Sequence, residues 1–471
     1  MANELQDLLT LVGNSLSVDG HSVTVTDETT FRANVGKLVE VSALESGARQ
    51  GWARFLIRAA ALELDIVPSS IHDLYMARGR GEVPMTFSTP AFNLRALSFH
   101  AARMMFRSAL AINAGPFIFE IARSEIGYTA QRPVEYSTNI LAAAIAEGWR
   151  GPVFLQGDHF QMSAKKYAAD PQSEINAVKD LTAEAVKSGF FNIDIDTSTL
   201  VDINQPTVPA QQKLNYELSA DFGAYIRSIE PGLTISIGGE IGEVGGHNST
   251  EEELCAYMDG YNAEMARLVP GKPGLSKISI QTGTSHGGTV LPDGTIAKVN
   301  LDFDTLRNLS RVSRASYGLG GTVQHGASTL PEDMFDKFPQ NEAIEVHLAT
   351  NFMNKWFDTI PADFKAEIYE WVKVNAASER KAGMTDEQFY YKARKNSVGA
   401  FKAKSYALPE ADKAKLNAAW EAQFSGLFNL LGLKDTRQYV DQYIKLIKVA
   451  PDLKFYLGAD VEEELADDLA D

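Results

Sequence analysis

The stretch PVFLQGDHFQM, residues 152–162, decides how the chain is to be read. Pro152 to Leu155 make an apolar run of the length and composition of a short buried strand. The run stops on Gly157-Asp158-His159, an acid and an imidazole side by side. Burying either group without a partner is strongly unfavourable, so a core strand with this ending predicts a site at its end.

Working outward, similar runs rich in Val, Ile and Phe recur as FIFEI, FFNIDI, TISI, KISIQT, GTVQH and IEVHLA. Amphipathic stretches such as PVEYSTNILAAAIAEG, SEINAVKDLTAEAVKSG and LSADFGAYIRSI lie between several of them. Strand and helix in alternation predict a parallel α/β protein, and the length favours a (β/α)8 TIM barrel, placed at 83–355. Residues 1–82 read as a mostly helical N-terminal addition with a strand at HSVTVTD. Residues 356–457 read as a C-terminal helical extension whose aromatics, Trp356, Tyr369, Trp371, Phe389, Tyr390, Trp420 and Phe424, pack between helices. Residues 458–471 carry seven acids and no base and read as a frayed acidic tail.

The 471 residues are 45% hydrophobic and 22% charged, enough to fill a large core. A formal charge of −17 argues against nucleic acid or an anionic membrane as partner. No apolar run reaches the length of a membrane span. The start, MANELQDLL, lacks the pattern of a secretory signal, and a single cysteine, Cys255, fits a reducing compartment. The expected location is the cytoplasm.

The strand ends carry the chemistry. VFLQ leads to Asp158-His159, FFNIDID to Asp194 and Asp196, and TISIGGE to Glu240 and the loop GEVGGHNST. KISIQTGTSHGG reaches His286, and GTVQHGAS reaches His325. In a parallel barrel these ends converge on one mouth. Three imidazoles with an open fourth position make a catalytic zinc site, with His159 as a ligand and Asp158 as a base beside the metal. Gly287-Gly288 follows His286, and Gly326-Ala327-Ser328 follows His325. Such turns let backbone amides approach a phosphate, and Ala349-Thr350 at a helix start offer more. A Schiff-base route is disfavoured, because Lys277 precedes its strand and no lysine stands at a strand end. The pairs Gly238-Gly239 and Gly245-Gly246 predict a freely moving loop from Gly242 to Glu253 that closes over substrate.

With these motifs in this order, the chain resembles the class II, zinc-dependent fructose-bisphosphate aldolases and their tagatose-bisphosphate relatives. The resemblance rests on PAFNLRAL (90–97), GDHF, EIGEVGG, SHGGTVLPDGTIAKVNLDFDTL, VQHGASTLPEDMF and EVHLATN. It implies a TIM barrel, usually dimeric or tetrameric, acting on a phosphorylated sugar with Zn²⁺ or another divalent metal and room for a monovalent cation. By resemblance His159, His286 and His325 match the zinc ligands, and Asp158 the acid that relays a proton. Asp196 and Glu240 match acids that hold a displaced metal position or orient the histidines. Gly287, Gly326, Ser328, Ala349, Thr350 and Asn93 fall at substrate-binding positions, the phosphate end being that of dihydroxyacetone phosphate. The implied reaction is C–C cleavage or formation in a ketose (bis)phosphate, fructose 1,6-bisphosphate being the default. Two departures stand out. The loop glutamate of the family is missing at Asn248, leaving His247 or Glu251 to Glu253 as substitutes, and an asparagine is replaced by His347. They keep open a 4-epimerase working by retro-aldol chemistry and a non-catalytic sugar-phosphate-binding homologue.

Overall fold

The structure is a computed structural model that describes residues 2–242, 247–283, 291–292, 301–327 and 330–458. Eight parallel strands close into a barrel: β1 (Thr89–Asn93), β2 (Ile118–Ala122), β3 (Gly151–Gln161), β4 (Asn192–Asp196), β5 (Ser236–Glu240), β6 (Lys277–Ile280), β7 (Thr322–Gln324) and β8 (Glu345–Leu348). Each pairs with the next in sequence, and β8 returns to β1 with His347 opposite Ala91. Helices between the strands cover the outer face and side chains fill the inside, as in a (β/α)8 barrel. Their ends carry ordinary stop and start chemistry. Asp170 caps the helix Pro171–Lys187, Thr250 and Glu253 form a capping box, and Gly148 ends the helix Pro133–Glu147 at φ 72°.

Two strands differ from their sequence reading. β1 has no long apolar run, because Pro90 and Asn93 interrupt it, and only the PAFN motif marks it. β5 lies at 236–240, starting at the second half of TISI and running on to Glu240, so Gly238 and Gly239 are strand residues. A side chain at Gly238 would stand 2.3 Å from Asp194 Oδ1 and 2.8 Å from Lys277 Cε. One at Gly239 would stand 2.5 Å from the Tyr257 hydroxyl. The pair serves space inside the barrel rather than backbone freedom.

The N-terminal residues form a hairpin (Leu16–Asp19, Ser22–Val25) and two long helices (Glu28–Leu44, Gly47–Glu63). They then add a ninth strand, Ile66–Ser69, parallel to the first half of β3. It wedges into the gap between β3 and β4, where Asn192 is fully buried. The Asn192 amide donates to the carbonyls of Ser69 (3.1 Å) and Leu155 (2.9 Å) and accepts from the Ile71 amide (2.9 Å). That one side chain satisfies the backbone groups a split sheet would leave unpaired. After β8 the chain continues as helices. The Trp420 indole of the helix Glu410–Leu430 donates to the Phe352 carbonyl at 3.1 Å, and Phe424 and Phe428 pack on Phe92 of β1. Among the described residues no helix is long and apolar enough to cross a membrane.

The barrel interior holds a charged layer. Glu120, Gln156, Asp194, Lys277, Glu345 and His347 come from β2, β3, β4, β6 and β8 and are all buried. Lys277 opens β6, contrary to the expectation that it precedes the strand. Its ammonium lies 2.9 Å from Asp194 Oδ1 and 2.8 Å from Gln156 Oε1, and it also donates to Glu345. Burial alone would lower the Lys277 pKa, but the charges of Asp194 and Glu345 raise it. It is therefore a fixed cation and not a Schiff-base nucleophile. Burial pushes Glu345 up, yet Lys277 and His347 outweigh it and leave the carboxyl at about 2 against an ordinary 4.5.

Replacing Lys277 by Met leaves those carboxylates buried without their cation. The expected loss is about 3–5 kcal/mol, measured by urea unfolding at neutral pH. Because the folded-state value of Glu345 is depressed, its stabilising contribution is present above pH 4.5 and fades as pH falls toward 2. The gap between wild type and Lys277→Met should narrow over that window. An unchanged midpoint at neutral pH would mean that the layer is not held by this cation.

Candidate active site

Successive residues of a regular strand point to opposite faces, so Asp158 and His159 should not both enter the mouth. β3 breaks the rule. Gly157 pairs with Ile193 and Phe160 with Ile195, three residues against two on β4. This is a β-bulge, with His159 in the left-handed region at φ 40°. A non-glycine residue pays backbone strain there, and such strain concentrates at functional sites. Gly157 is required, because a side chain on it would meet the Phe160 ring at 2.5 Å. The bulge puts Asp158 Oδ1 3.8 Å from His159 Nε2, with both residues on the wall of one cavity.

His159 is oriented by two acids at neighbouring strand ends. Its Nδ1 lies 3.1 Å from Asp196 Oδ2 and 3.3 Å from Glu240 Oε2. Asp196 is itself fixed, accepting from the Ser198 amide (3.0 Å) and hydroxyl (2.6 Å). A ring that donates from Nδ1 to carboxylates carries its lone pair on Nε2, the tautomer a metal requires. His325, at the end of β7, stacks beside it with ring centroids 4.3 Å apart, and its Nε2 is 2.9 Å from the Ser279 hydroxyl. One ligand atom from each of His159, Glu240 and His325 lies within 4.8 Å of the others. Two imidazoles and a carboxylate on converging strands are a donor set suited to zinc or a similar divalent ion. Burial would lower the His159 imidazole, but Asp158 and Glu240 raise it well above its ordinary value, so a positive charge is favoured at this point.

The next ring is His347, 4.0 Å from His325 between centroids. Its Nε2 lies 2.6 Å from Glu345 Oε1, and its Nδ1 lies 3.2 Å from Glu120 Oε2 and 3.3 Å from Asp158 Oδ1. Burial opposes the imidazolium, but Glu120, Asp158 and Glu345 together raise it well above the usual range. Glu120 goes the other way: burial and the Asp158 charge push it up to about 8, while the His347 ring pulls it down. Asp158 accepts from Asn93 Nδ2 at 2.9 Å. Burial would raise Asp158, but His159 and His347 hold it below the ordinary carboxylate range. It is an anion aimed at the mouth. Asn93 also donates to Glu125 at 2.9 Å, which pairs with Arg95 at 2.5 Å.

These groups line one cavity of about 830 Å³ at the C-terminal ends of the strands. Asn93, Asp158, His159, His325, Gly326, Ala349 and Thr350 all reach it, with Thr350 opening the helix Thr350–Thr359. His286, Gly287 and Ser328 lie outside the described residues, as does the stretch 243–246 of the expected closing loop. His247 is not among the cavity residues: its side chain is 53% exposed, 3.7 Å from Glu253. Glu253 in turn caps its own helix, accepting from the Thr250 amide at 2.8 Å. Glu120 and Glu345 were missed as site-supporting groups, although the glutamates inside FIFEI and IEVHLA were a readable sign of buried charge.

The comparisons agree with this geometry. The family Fructose-bisphosphate aldolase class-II matches residues 85–407. No curated protein matches the chain. The fructuronate-tagaturonate epimerase UxaE from Cohnella laeviribosi has a similar fold, at 11% identity and a TM-score of 0.56, over 92% of this chain and 100% of that one. A probable tagatose 6 phosphate kinase from Sinorhizobium meliloti matches at 18% identity and a TM-score of 0.50, over 81% and 99%. The fructose-bisphosphate aldolase of Campylobacter jejuni matches at 16% and 0.45, over 79% and 98%. With residues 85–407 matched, more than half of its length, the chain belongs to the class II fructose-bisphosphate aldolase family.

Proposed function

We propose that the protein is a metal-dependent aldolase that cleaves or forms a C–C bond in a ketose phosphate. The observation that carries this reading is the bulge that sets Asp158 beside His159 and His325 in one cavity. His159 and His325, with His286 by family resemblance, would hold the metal, and Glu240 is close enough to join them. A bound divalent cation supplies Lewis-acid polarisation of a substrate carbonyl. Asp158, held as an anion by Asn93 and His347, takes the proton of the substrate hydroxyl in cleavage and returns it to the aldehyde in condensation. Asp196 keeps the His159 ring in place, and the Thr350 hydroxyl with nearby amides binds the phosphate end.

A second reading is 4-epimerisation by retro-aldol cleavage and re-addition. His347 at the asparagine position and the loop without its glutamate favour it. The two reactions share every group named above and differ in the fate of the aldehyde half. They are separated by product analysis with fructose 1,6-bisphosphate, tagatose 1,6-bisphosphate and unphosphorylated ketoses. The aldolase reading expects free dihydroxyacetone phosphate and aldehyde from one of them; isomerised ketose without release of fragments would establish the epimerase instead.

Asp158→Ala should lower kcat by roughly 10²–10⁴-fold, the usual worth of a general acid–base. Metal content, read by elemental analysis, should stay near that of wild type. Loss of metal in step with activity would make Asp158 a support of the metal site and not the proton carrier.

A further inference from the structure

Between the ninth strand and β1 runs the helix His72–Gly79, seated on the segments that enter β1 and β7. Arg78 donates to the Phe87 carbonyl and holds its guanidinium 4.5 Å over the Phe87 ring, just before β1. Gly79 permits contact with the turn before β7, since a side chain on it would stand 2.5 Å from the Leu319 carbonyl oxygen. One on Gly320 would stand 3.0 Å from Tyr75 Cβ. The helix therefore covers the end of the barrel away from the mouth. It sends one polar group inward: Tyr75 is 1% exposed, and its hydroxyl donates to Glu345 Oε2 at 2.5 Å. Tyr75 lies ahead of residues 85–407, the part of the chain that matches the family.

The two oxygens of Glu345 are engaged differently. Oε1 takes His347 Nε2 at 2.6 Å, Gln156 Nε2 at 2.9 Å and the Lys277 ammonium, while Oε2 takes the Tyr75 hydroxyl. His347 Nδ1 then lies 3.3 Å from Asp158 Oδ1. Three polar contacts in series thus run from the closed end of the barrel to the acid at its mouth. The last torsion of a glutamate is soft, so donors on both oxygens are what fix the plane of the carboxylate. Without the hydroxyl, Oε2 is a buried anionic oxygen that has lost its donor, and a turn that seeks another carries Oε1 away from His347. The ring, and with it the contact to Asp158, would follow.

We propose that Tyr75 is a positioning residue for the chemistry at the mouth, holding Asp158 in place through Glu345 and His347. This rests on the reading of Asp158 as the proton carrier. It gives the N-terminal addition a part in turnover as well as in stability.

The test combines kinetics with ¹⁵N NMR of the histidine rings, in the full-length, metal-loaded protein. The His347 signal is assigned by its loss in His347→Asn. Tyr75→Phe should move that signal and lower kcat about tenfold, the scale of a hydrogen bond to a charged group, with KM and metal content unchanged. In the His347→Asn background the same substitution should change kcat less than twofold, because the link is already cut. A loss there as large as in wild type would mean a merely structural role and overturns the proposal. So does a kcat within twofold of wild type in Tyr75→Phe, whether or not the signal moves. If Tyr75→Phe does not fold, 3-fluorotyrosine at position 75 keeps the shape and alters the acidity of the hydroxyl. The signal and kcat should then still shift, and two unchanged readings overturn the proposal. A wild type that cleaves no ketose phosphate would sink the aldolase reading, while a moved His347 signal would still support the link. One that cleaves, with Tyr75→Phe indistinguishable from it, would do the reverse.

Discussion

A strand shows alternate residues to alternate faces, and this site needs two consecutive residues on the same one. The extra residue in β3, taken up by the left-handed backbone of His159, meets that requirement. Most of the local structure serves it. Gly157 clears room for the Phe160 ring, Asp196 and Glu240 hold the displaced imidazole, and Asn93 holds the acid beside it. A strand without the bulge would leave either the acid or the imidazole pointing away from the mouth. The proximity of Asp158 to His159 in the cavity is thus a property of one backbone irregularity.

Beneath the mouth lies a second tier of charge. Lys277 and the His347 imidazolium face Asp194 and Glu345, while burial and the Asp158 charge raise Glu120 above its ordinary value. The tiers touch through His347, which contacts Asp158 above and Glu120 and Glu345 below. The strand glycines belong to the same arrangement, since any side chain at Gly238 would displace Asp194 or Lys277. A connected network of buried charges and hydrogen bonds of this kind fixes side-chain positions. That rigidity suits a site whose acid must stay within an ångström of its working position.

Much of this was legible in the residues. The alternation of apolar runs with amphipathic stretches gave the barrel, and charged residues at the ends of β3, β4, β5 and β7 pointed to its mouth. β1 was hidden by Pro90 and Asn93, and in β5 the pair Gly238-Gly239 reads as backbone freedom when its purpose is space. The ninth strand, Ile66–Ser69, is four residues long and depends on Asn192, more than a hundred positions later, so no local pattern could reveal it. Lys277 was misplaced for a related reason: only the closed barrel brings it to Asp194 and Glu345.

The account stands or falls on where a metal sits. X-ray absorption and anomalous diffraction on protein loaded with one equivalent of zinc measure this directly. The expected result is a single ion with His159 and His325 nitrogens at about 2.0–2.1 Å, and with Asp158 and His347 outside the ligand set. An ion bound instead by Asp158, His325 and His347, whose ligand atoms also lie within 4.8 Å of one another, would contradict it. In that arrangement the acid would be a ligand, and the proton chemistry assigned to it would have no carrier.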